Sequence, residues 1–147
     1  MTAPVRDLTS TQQAGRDFSM RGLEGEIVLL NLLNFRDMAG YSANPELAPA
    51  TPISGAEAFN CYIQHTLPFL RDSGGELRLL GRSTSWLIGH ESERWDVVVL
   101  VRQRSAQSFM AFAHYEASLA GIWHRTAAIE DSRLLPLSDL TLEESAT

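Results

Sequence analysis

Residues 26–35, EIVLLNLLNF, decide the fold of this chain, because they form an aliphatic run that is apolar at both parities. Successive side chains of a strand point to opposite faces, so a strand with one solvent-exposed face alternates apolar and polar residues. One predicted face of this run carries Ile27, Leu29, Leu33 and Phe35, and the other carries Val28, Leu30 and Leu32. The run therefore predicts a strand that is covered on both faces.

A helix is predicted after the loop that follows this strand. Residues 54–57, Ser-Gly-Ala-Glu, have the pattern of a capping box, in which serine and glutamate side chains bind the first free N–H groups. Gly74 and Gly75 are predicted to end the helix, because glycine is the usual residue beyond a helix C-terminus. One face carries residues at helical spacing: Phe59, Tyr62, Ile63, Thr66 and Leu70.

The rest of the chain supplies the other strands and a second helical region. The predicted elements are an extended segment at residues 76–80 and 83–88 with a bulge at Gly81, a polar turn at 90–94, a strand at 95–103, a helical region that opens at Ser105, and a strand at 133–137. The order strand, helix, strand, strand, helix, strand predicts an α+β, ferredoxin-like βαββαβ domain. Its four-stranded antiparallel sheet carries both helices on one face.

The second face of this sheet needs a cover of its own. A second copy of the chain is the economical cover, which predicts a homodimer in which two sheets pack as a dimeric α/β barrel. Burial of six or seven aliphatic side chains at about 1.5–3 kcal/mol each offsets typical association costs. The alternative is that the N-terminal segment and the loop at residues 36–53 fold back over this face.

Composition bounds the class of protein. The 147 residues suit one domain, predicted at residues 25–137, with a peripheral segment at 1–24 that contains a short helix capped by Ser10 and an acidic tail at 138–147. The net charge of −6 argues against a nucleic-acid partner, and no apolar run approaches the roughly 20 residues of a membrane span. A single cysteine, Cys61, excludes an internal disulfide and favours a cytoplasmic location.

Several segments, in order, resemble one bacterial family. They are VLLNLLNFR at residues 28–36, YSA at 41–43, ISGAE at 53–57, GGE at 74–76, ERWD at 93–96 and HRTAAIEDSRLLP at 124–136. Over about residues 26–137 the chain is similar to the family named domain of unknown function 1330, within the dimeric α/β-barrel superfamily. The resemblance implies the ferredoxin-like monomer and the sheet-to-sheet dimer. It implies no reaction, because the superfamily includes oxygenases, isomerases and regulators.

Asn31 is the first candidate site residue, because a carboxamide in the middle of an apolar strand needs hydrogen-bond partners. Leaving it unpaired costs about 1–3 kcal/mol. Asn31 is therefore expected either to orient the carbonyl group of a ligand or to be tied to backbone or a neighbouring arginine.

A cluster of charged residues near the end of the second helical region is the next candidate. Adjacent helical positions point about 100° apart, so either His124 or Arg125 is expected to face a pocket while the other pairs with an acid nearby. Proximity to a helix C-terminus favours the charged form of His124. The alternative is a salt-bridge cluster, with Asp131 and Arg133, that ties the last strand to the helix.

The loop at residues 36–53 is rich in proline and long for a bare connection, which is typical of lids and binding arms. We expect it to cover a pocket floored by Asn31, with Tyr41 approaching a ligand by its hydroxyl group and Arg36 by a grip on a carboxylate. Equally, Tyr41 anchors the loop against a partner subunit.

Two further candidate ligand-binding residues, Tyr62 and His65, lie on the first predicted helix. The four histidines show no metal-ligand spacing, so neither a metal nor another cofactor is expected.

Three functions stay open at this point. The first is a metal-free, cofactor-independent enzyme, monooxygenase- or isomerase-like, that acts on a small carbonyl or acidic compound through Asn31, His124 and Tyr41. The second is a binding protein with the same pocket and no turnover. The third is a structural or regulatory dimer whose polar cluster stabilises the fold.

Overall fold

The computed structural model describes residues 12–117 and 121–140. Its helices and strands, in chain order, are α1 (Gln12–Met20), β1 (Ile27–Phe35), α2 (Gly55–Asp72), β2 (Glu76–Arg82), β3 (Val97–Gln103), α3 (Ala106–Ala117), α4 (Gly121–Ala128) and β4 (Ile129–Leu137). A short 3-10 helix (Pro45–Leu47) lies in the loop between β1 and α2. The predicted cap at Ser10 and the acidic tail beyond residue 140 lie outside the described residues.

The four strands form one antiparallel sheet in the order β2-β3-β1-β4. In the centre of the sheet, Leu30 pairs with Leu100 on one side and with Leu135 on the other. The chain therefore has the predicted α+β, ferredoxin-like βαββαβ fold. The second helical region is two helices, α3 and α4, and α1 is an addition before the first strand.

Helix α2 begins and ends where the sequence predicts. The Ser54 hydroxyl group accepts a hydrogen bond from the Glu57 N–H at 3.1 Å, and the Glu57 carboxylate accepts one from the Ser54 N–H at 3.0 Å. The capping box is therefore confirmed. At the other end Gly74 has φ +88°, a backbone conformation that favours glycine. A side chain at Gly75 would lie 2.5 Å from a methyl carbon of Leu70, so this glycine lets β2 pass close to α2.

Three predicted strands have different bounds in the structure. β3 begins at Val97 rather than at Trp95. Residues 83–88 are not a strand, because β2 pairs with β3 only as far as Arg82. The following loop is held by its own hydrogen bond from the Trp86 indole to the Glu93 carbonyl group at 2.5 Å. The bulge of β2 lies between Leu77 and Leu79 rather than at Gly81.

The last strand begins earlier than predicted. It starts at Ile129 rather than Arg133, because the fully buried Ile129 pairs with Phe35 and continues the ladder.

The core lies between the sheet and the helices and contains two groups of buried residues. The first consists of Leu33, Tyr41, Ala58, Phe59, Val99, Ala127, Ala128 and Ile129. The second consists of Phe18, Ile27, Leu29 and Ala106, so α1 packs on the same face of the sheet as the other helices. None of the helices in the described ranges is long and apolar enough to cross a membrane.

The opposite face of the sheet, called here the outer face, is apolar and partly exposed. Its strand residues, in register across the sheet, include Val28, Leu30, Leu32, Leu79, Val98, Leu100, Leu135 and Leu137. Phe18 of α1 and Tyr41 of the 36–53 loop pack on the helix face instead. The alternative cover for the outer face is therefore absent from residues 12–117 and 121–140.

Candidate functional site

A cavity of about 740 Å³ lies between the helix face of the sheet and the surrounding helices. Leu29, Leu33 and Val99 line it from the sheet, and Phe59 and Ile63 line it from α2. Further lining residues come from α1, α3 and α4, and most lining side chains are apolar. This volume and lining are typical of sites that bind a small molecule.

Asn31 lies on the sheet wall of this cavity, in the middle of β1. Its Nδ2 atom donates to the carbonyl groups of Leu29 at 3.2 Å and Val99 at 3.4 Å. The amide N–H groups, expected as donors for a ligand carbonyl, are therefore directed at backbone. The group that Asn31 offers to a ligand is its acceptor, Oδ1.

Thr66 lies on the helix wall, on the apolar face of α2. Its side chain is only 7% exposed, and its Oγ1 atom has no hydrogen-bond partner among the described residues. A buried polar atom without a partner costs about 1–3 kcal/mol. The Oγ1 atom has almost no accessible surface and lies at the close contact of α2 with Gly121, not on the surface of the cavity.

Tyr62 and Arg125 also line the cavity, from α2 and α4. Arg133 borders it, but its guanidinium is engaged elsewhere. It donates to the Asp131 carboxylate at 2.7 Å and to the Ser132 carbonyl group at 2.8 Å, and it lies 5.1 Å from the Trp95 ring centre. Asp131 itself is buried and does not line the cavity. The Arg133–Asp131 pair is therefore best explained as a tie within β4.

Tyr41 and His124 form a pair outside the cavity. The Tyr41 hydroxyl lies 2.8 Å from His124 Nδ1, and the two rings meet edge to face. Tyr41 is buried among the core residues at the α4 end of the sheet, and neither residue lines the cavity. The structure therefore joins two of the predicted catalytic residues to each other and separates them from the cavity wall that carries Asn31.

The protonation of this pair follows from its burial. Burial lowers the pKa of His124 below its ordinary value, and the charge of His65 lowers it further. The expectation that a helix terminus favours charged His124 is therefore wrong, because burial disfavours the charged imidazole. Burial raises the pKa of Tyr41, with a contribution from Cys61. A neutral imidazole thus accepts the tyrosine O–H.

The remaining predicted site residues have packing contacts. Arg36 Nε donates to the Ile129 carbonyl group at 3.2 Å, which ties the end of β1 to the start of β4. His65 lies against Gly121, where any side chain would meet the imidazole ring at 2.5 Å, so the two helices approach closely at this point. Neither Arg36 nor His65 lines the cavity.

The 36–53 loop was expected to cover this cavity, and it contributes no residue to the lining. Its apolar residues Ala39, Leu47 and Ile53 pack instead on the first core group, which includes Leu33 and Ile129. The loop therefore closes the α4 end of the domain rather than the cavity.

Two cavity residues were not recognised from the sequence. Thr66 was identified only as part of a helix face, although a polar residue on an apolar face is a signal that points to it. Arg21, which follows the last turn of α1 and lines the cavity, carries no such signal. Its place depends on where α1 packs. No group of three histidine, cysteine or acidic residues in the described ranges is arranged to hold a metal ion.

Comparisons with known proteins agree on the fold. The sequence matches no protein-family model. It also matches no curated protein. Among solved structures it is similar to RPA0582, a protein of unknown function from Rhodopseudomonas palustris, with a TM-score of 0.81 and 29% identity over 93% of this chain and 99% of that chain. Methylated RPA0582 gives the same TM-score and identity, over 93% of this chain and 97% of that chain.

Proposed function

We propose that this protein binds a small, largely apolar molecule in the cavity between the sheet and the helices. The observation that carries the proposal is the cavity of about 740 Å³ itself, which is lined mostly by apolar side chains from the sheet and from α1, α2, α3 and α4. A concave, mainly apolar space of this size with a few polar groups is typical of small-molecule sites. A small carbonyl or acidic compound is the expected class, because the polar lining includes arginine side chains.

Binding is favoured over catalysis by the placement of the acid–base groups. An acid–base catalyst must reach the reacting group within hydrogen-bond distance or through one water. The Tyr41–His124 pair has the right chemistry but does not line the cavity. A metal-free, cofactor-independent enzyme is the alternative, and turnover of a molecule bound in this cavity would establish it.

The binding proposal is tested with N-phenyl-1-naphthylamine, an uncharged dye whose fluorescence rises in apolar sites. We expect one dye molecule per chain. Ala113→Phe, on the cavity side of α3, should weaken binding at least about tenfold by filling the space. Ala111→Phe is the matched control, because Ala111 is exposed on the same helix. Equal dye binding by both variants and the wild type would contradict the proposal.

We also propose that the partner of this chain is a second copy, which covers the outer face. The support is the row of partly exposed aliphatic side chains on β1 and β3, among them Leu30, Leu32, Val98 and Leu100. The resemblance of residues 26–137 to the domain of unknown function 1330 family supports the same arrangement. We retain that family as the proposed assignment.

The dimer is tested by placing a charge on each face of β3. Val98→Glu, on the outer face, should raise the dimer dissociation constant about hundredfold or more while each chain still folds, because an unpaired charge is costly to bury. Val99→Glu, at a position only 4% exposed, should instead prevent folding. Sedimentation and circular dichroism distinguish the two results. A wild-type chain that is monomeric at micromolar concentration would overturn the proposal.

We further propose a reducing, cytoplasmic location. The single cysteine, Cys61, is a free and exposed thiol on α2. Proteins of oxidising compartments more often pair their cysteines or lack exposed free thiols.

A further inference from the structure

We propose that the ligand is an amphipathic anion, whose apolar body lies in the cavity and whose acidic head is bound by Arg21 at the edge of α1. This inference rests on the proposed binding function and specifies its ligand and a contact residue. The charge of the cavity lining supports this inference, whereas the apolar character of the lining supports the binding proposal.

The charge of the lining is opposite to that of the chain. The sequence has 18 acidic and 12 basic residues and a net charge of −6. The described lining nevertheless contains Arg21 and Arg125 and no aspartate or glutamate, whereas Arg133, opposite Leu32, has its side chain on the outer face. Because Arg21 is exposed and its charge is screened by solvent, its effect on a ligand comes from direct contact. The lining therefore favours an anion over a neutral molecule, and both over a cation.

The other basic lining residues have interactions of their own, Arg125 among them. The Arg133 guanidinium donates to Asp131 and lies over Trp95. His114 Nδ1 lies 2.7 Å from the Met110 carbonyl group. Neither group is directed at a ligand in the cavity.

The Arg21 side chain differs from these. It is exposed, and it forms no hydrogen bond or ion pair with another residue in the described ranges. A guanidinium at the edge of an apolar cavity offers a planar fork that matches a carboxylate or sulfonate. Arg125 also lines the cavity from α4 and adds positive charge to the same space.

Helix α1 places Arg21 beside the cavity by burying its neighbour. Phe18, three residues earlier, is buried against Ile27 and Leu29 and meets the Phe109 ring edge to face at 5.8 Å. Arg21 follows the last helical residue, Met20, and its N–H donates to the Phe18 carbonyl group at 3.4 Å. Anchoring Phe18 in the core therefore holds Arg21 beside the cavity. Gly22, with φ +67°, turns the chain directly after Arg21.

The deep lining of the cavity locates the acidic head at this edge. Asn31 offers an acceptor, Oδ1, to the cavity, and an acceptor disfavours a carboxylate beside it. The opposite wall is formed mainly by apolar side chains of α2, which suit the apolar body of the ligand. An anion whose head lies at Arg21, with its body pointing inward, satisfies both conditions.

The experiment compares three molecules with one apolar body: decanoate, decanol and decyltrimethylammonium. Each displaces N-phenyl-1-naphthylamine, at concentrations below micelle formation, and the displacement gives its affinity. For the wild type we expect decanoate to bind about fivefold to tenfold more tightly than decanol, and the cation to bind most weakly. Arg21→Gln should reduce decanoate affinity to that of decanol and leave decanol unchanged.

Arg16→Gln is the matched control, because Arg16 is exposed on the same helix and does not line the cavity. It should keep the wild-type preference for decanoate. If the wild type binds decanol as tightly as decanoate, or if Arg21→Gln keeps the preference, the amphipathic-anion inference is wrong while ligand binding stands. If neither the dye nor any of the three molecules binds, the proposed function fails together with this inference.

Discussion

The two ends of the layer between the sheet and the helices differ in whether their buried polar groups have hydrogen-bond partners. At the α4 end, Tyr41 is buried and its hydroxyl meets His124 at 2.8 Å, so both groups have a partner. On the cavity side, Thr66 is equally buried, and its hydroxyl has no partner among the described residues. A buried pair that is satisfied contributes to the fold, whereas an open space lined by apolar side chains is typical of a binding site. A tyrosine beside a histidine is therefore a weaker guide to function here than the position of the cavity.

The largest expected difference between the two ends is in packing. Ile129 is fully buried at the α4 end, and Ile129→Ala should lower the free energy of unfolding by about 3–4 kcal/mol. Ile122 borders the cavity and is half-buried, so Ile122→Ala should cost about 1 kcal/mol, because fewer contacts are lost. Urea unfolding measures both values. Equal costs would show that the cavity side is packed as tightly as the α4 end.

Removal of one hydroxyl group at each end should change stability in opposite directions. Tyr41→Phe should lower the free energy of unfolding by about 1–2 kcal/mol, because the His124 nitrogen loses its partner. Binding of N-phenyl-1-naphthylamine should not change, since Tyr41 does not line the cavity. A loss of dye binding in this variant would link the two ends and restore Tyr41 as a site residue.

Thr66→Val replaces the unpaired hydroxyl with a methyl group of similar size. We expect the free energy of unfolding to stay the same or to rise by up to about 1 kcal/mol, because a buried polar atom without a partner is removed. Thermal unfolding of the two variants, measured side by side, tests the difference in sign. Destabilisation by Thr66→Val equal to that of Tyr41→Phe would mean that the Thr66 hydroxyl is satisfied in the folded protein.

The smallest expected effect is the pH dependence of the free energy of unfolding that His124 causes at the α4 end. Because folding lowers the pKa of His124 below its ordinary value of 6.5, the folded chain binds fewer protons than the unfolded chain between the two pKa values. The free energy of unfolding should therefore fall as the pH drops through about 6.5, and stop falling below the folded pKa. His124→Gln should flatten this dependence, whereas His90→Gln, in an exposed loop, should leave it unchanged. If His124→Gln kept the same slope of unfolding free energy against pH, a different titrating group would be its cause.

Much of the fold follows from patterns between residues close in sequence. The capping box at residues 54–57 predicted the start of α2, and the two-sided apolar pattern of β1 predicted a strand that is apolar on both faces. Residues 83–88 were mistaken for a strand, because the same apolar residues suit a strand or an exposed loop. Only pairing with β3, which ends at Arg82, distinguishes the two.

The candidate site was predicted less well than the fold, and particular residues show why. Asn31 was recognised because a polar residue interrupts an apolar strand, which is visible locally. The sequence did not show that Oδ1 is the atom that Asn31 offers to a ligand. One of the carbonyl groups that accept from Nδ2 is that of Val99, in β3. His124 was expected to be charged near a helix end, but burial lowers its pKa, and the charge of distant His65 lowers it further.

The sequence by itself determined the α+β class, the order of the elements and the helix ends, because short-range hydrogen bonds and side-chain periodicity depend on neighbours along the chain. Only the tertiary structure decided that α1 brings Arg21 to the cavity and that the 36–53 loop packs at the other end. Both placements come from burying apolar side chains, Phe18 in one case and Tyr41 in the other. Hydrophobic burial is non-directional, so the partner of an apolar residue is set by the space that the assembled sheet and helices leave open.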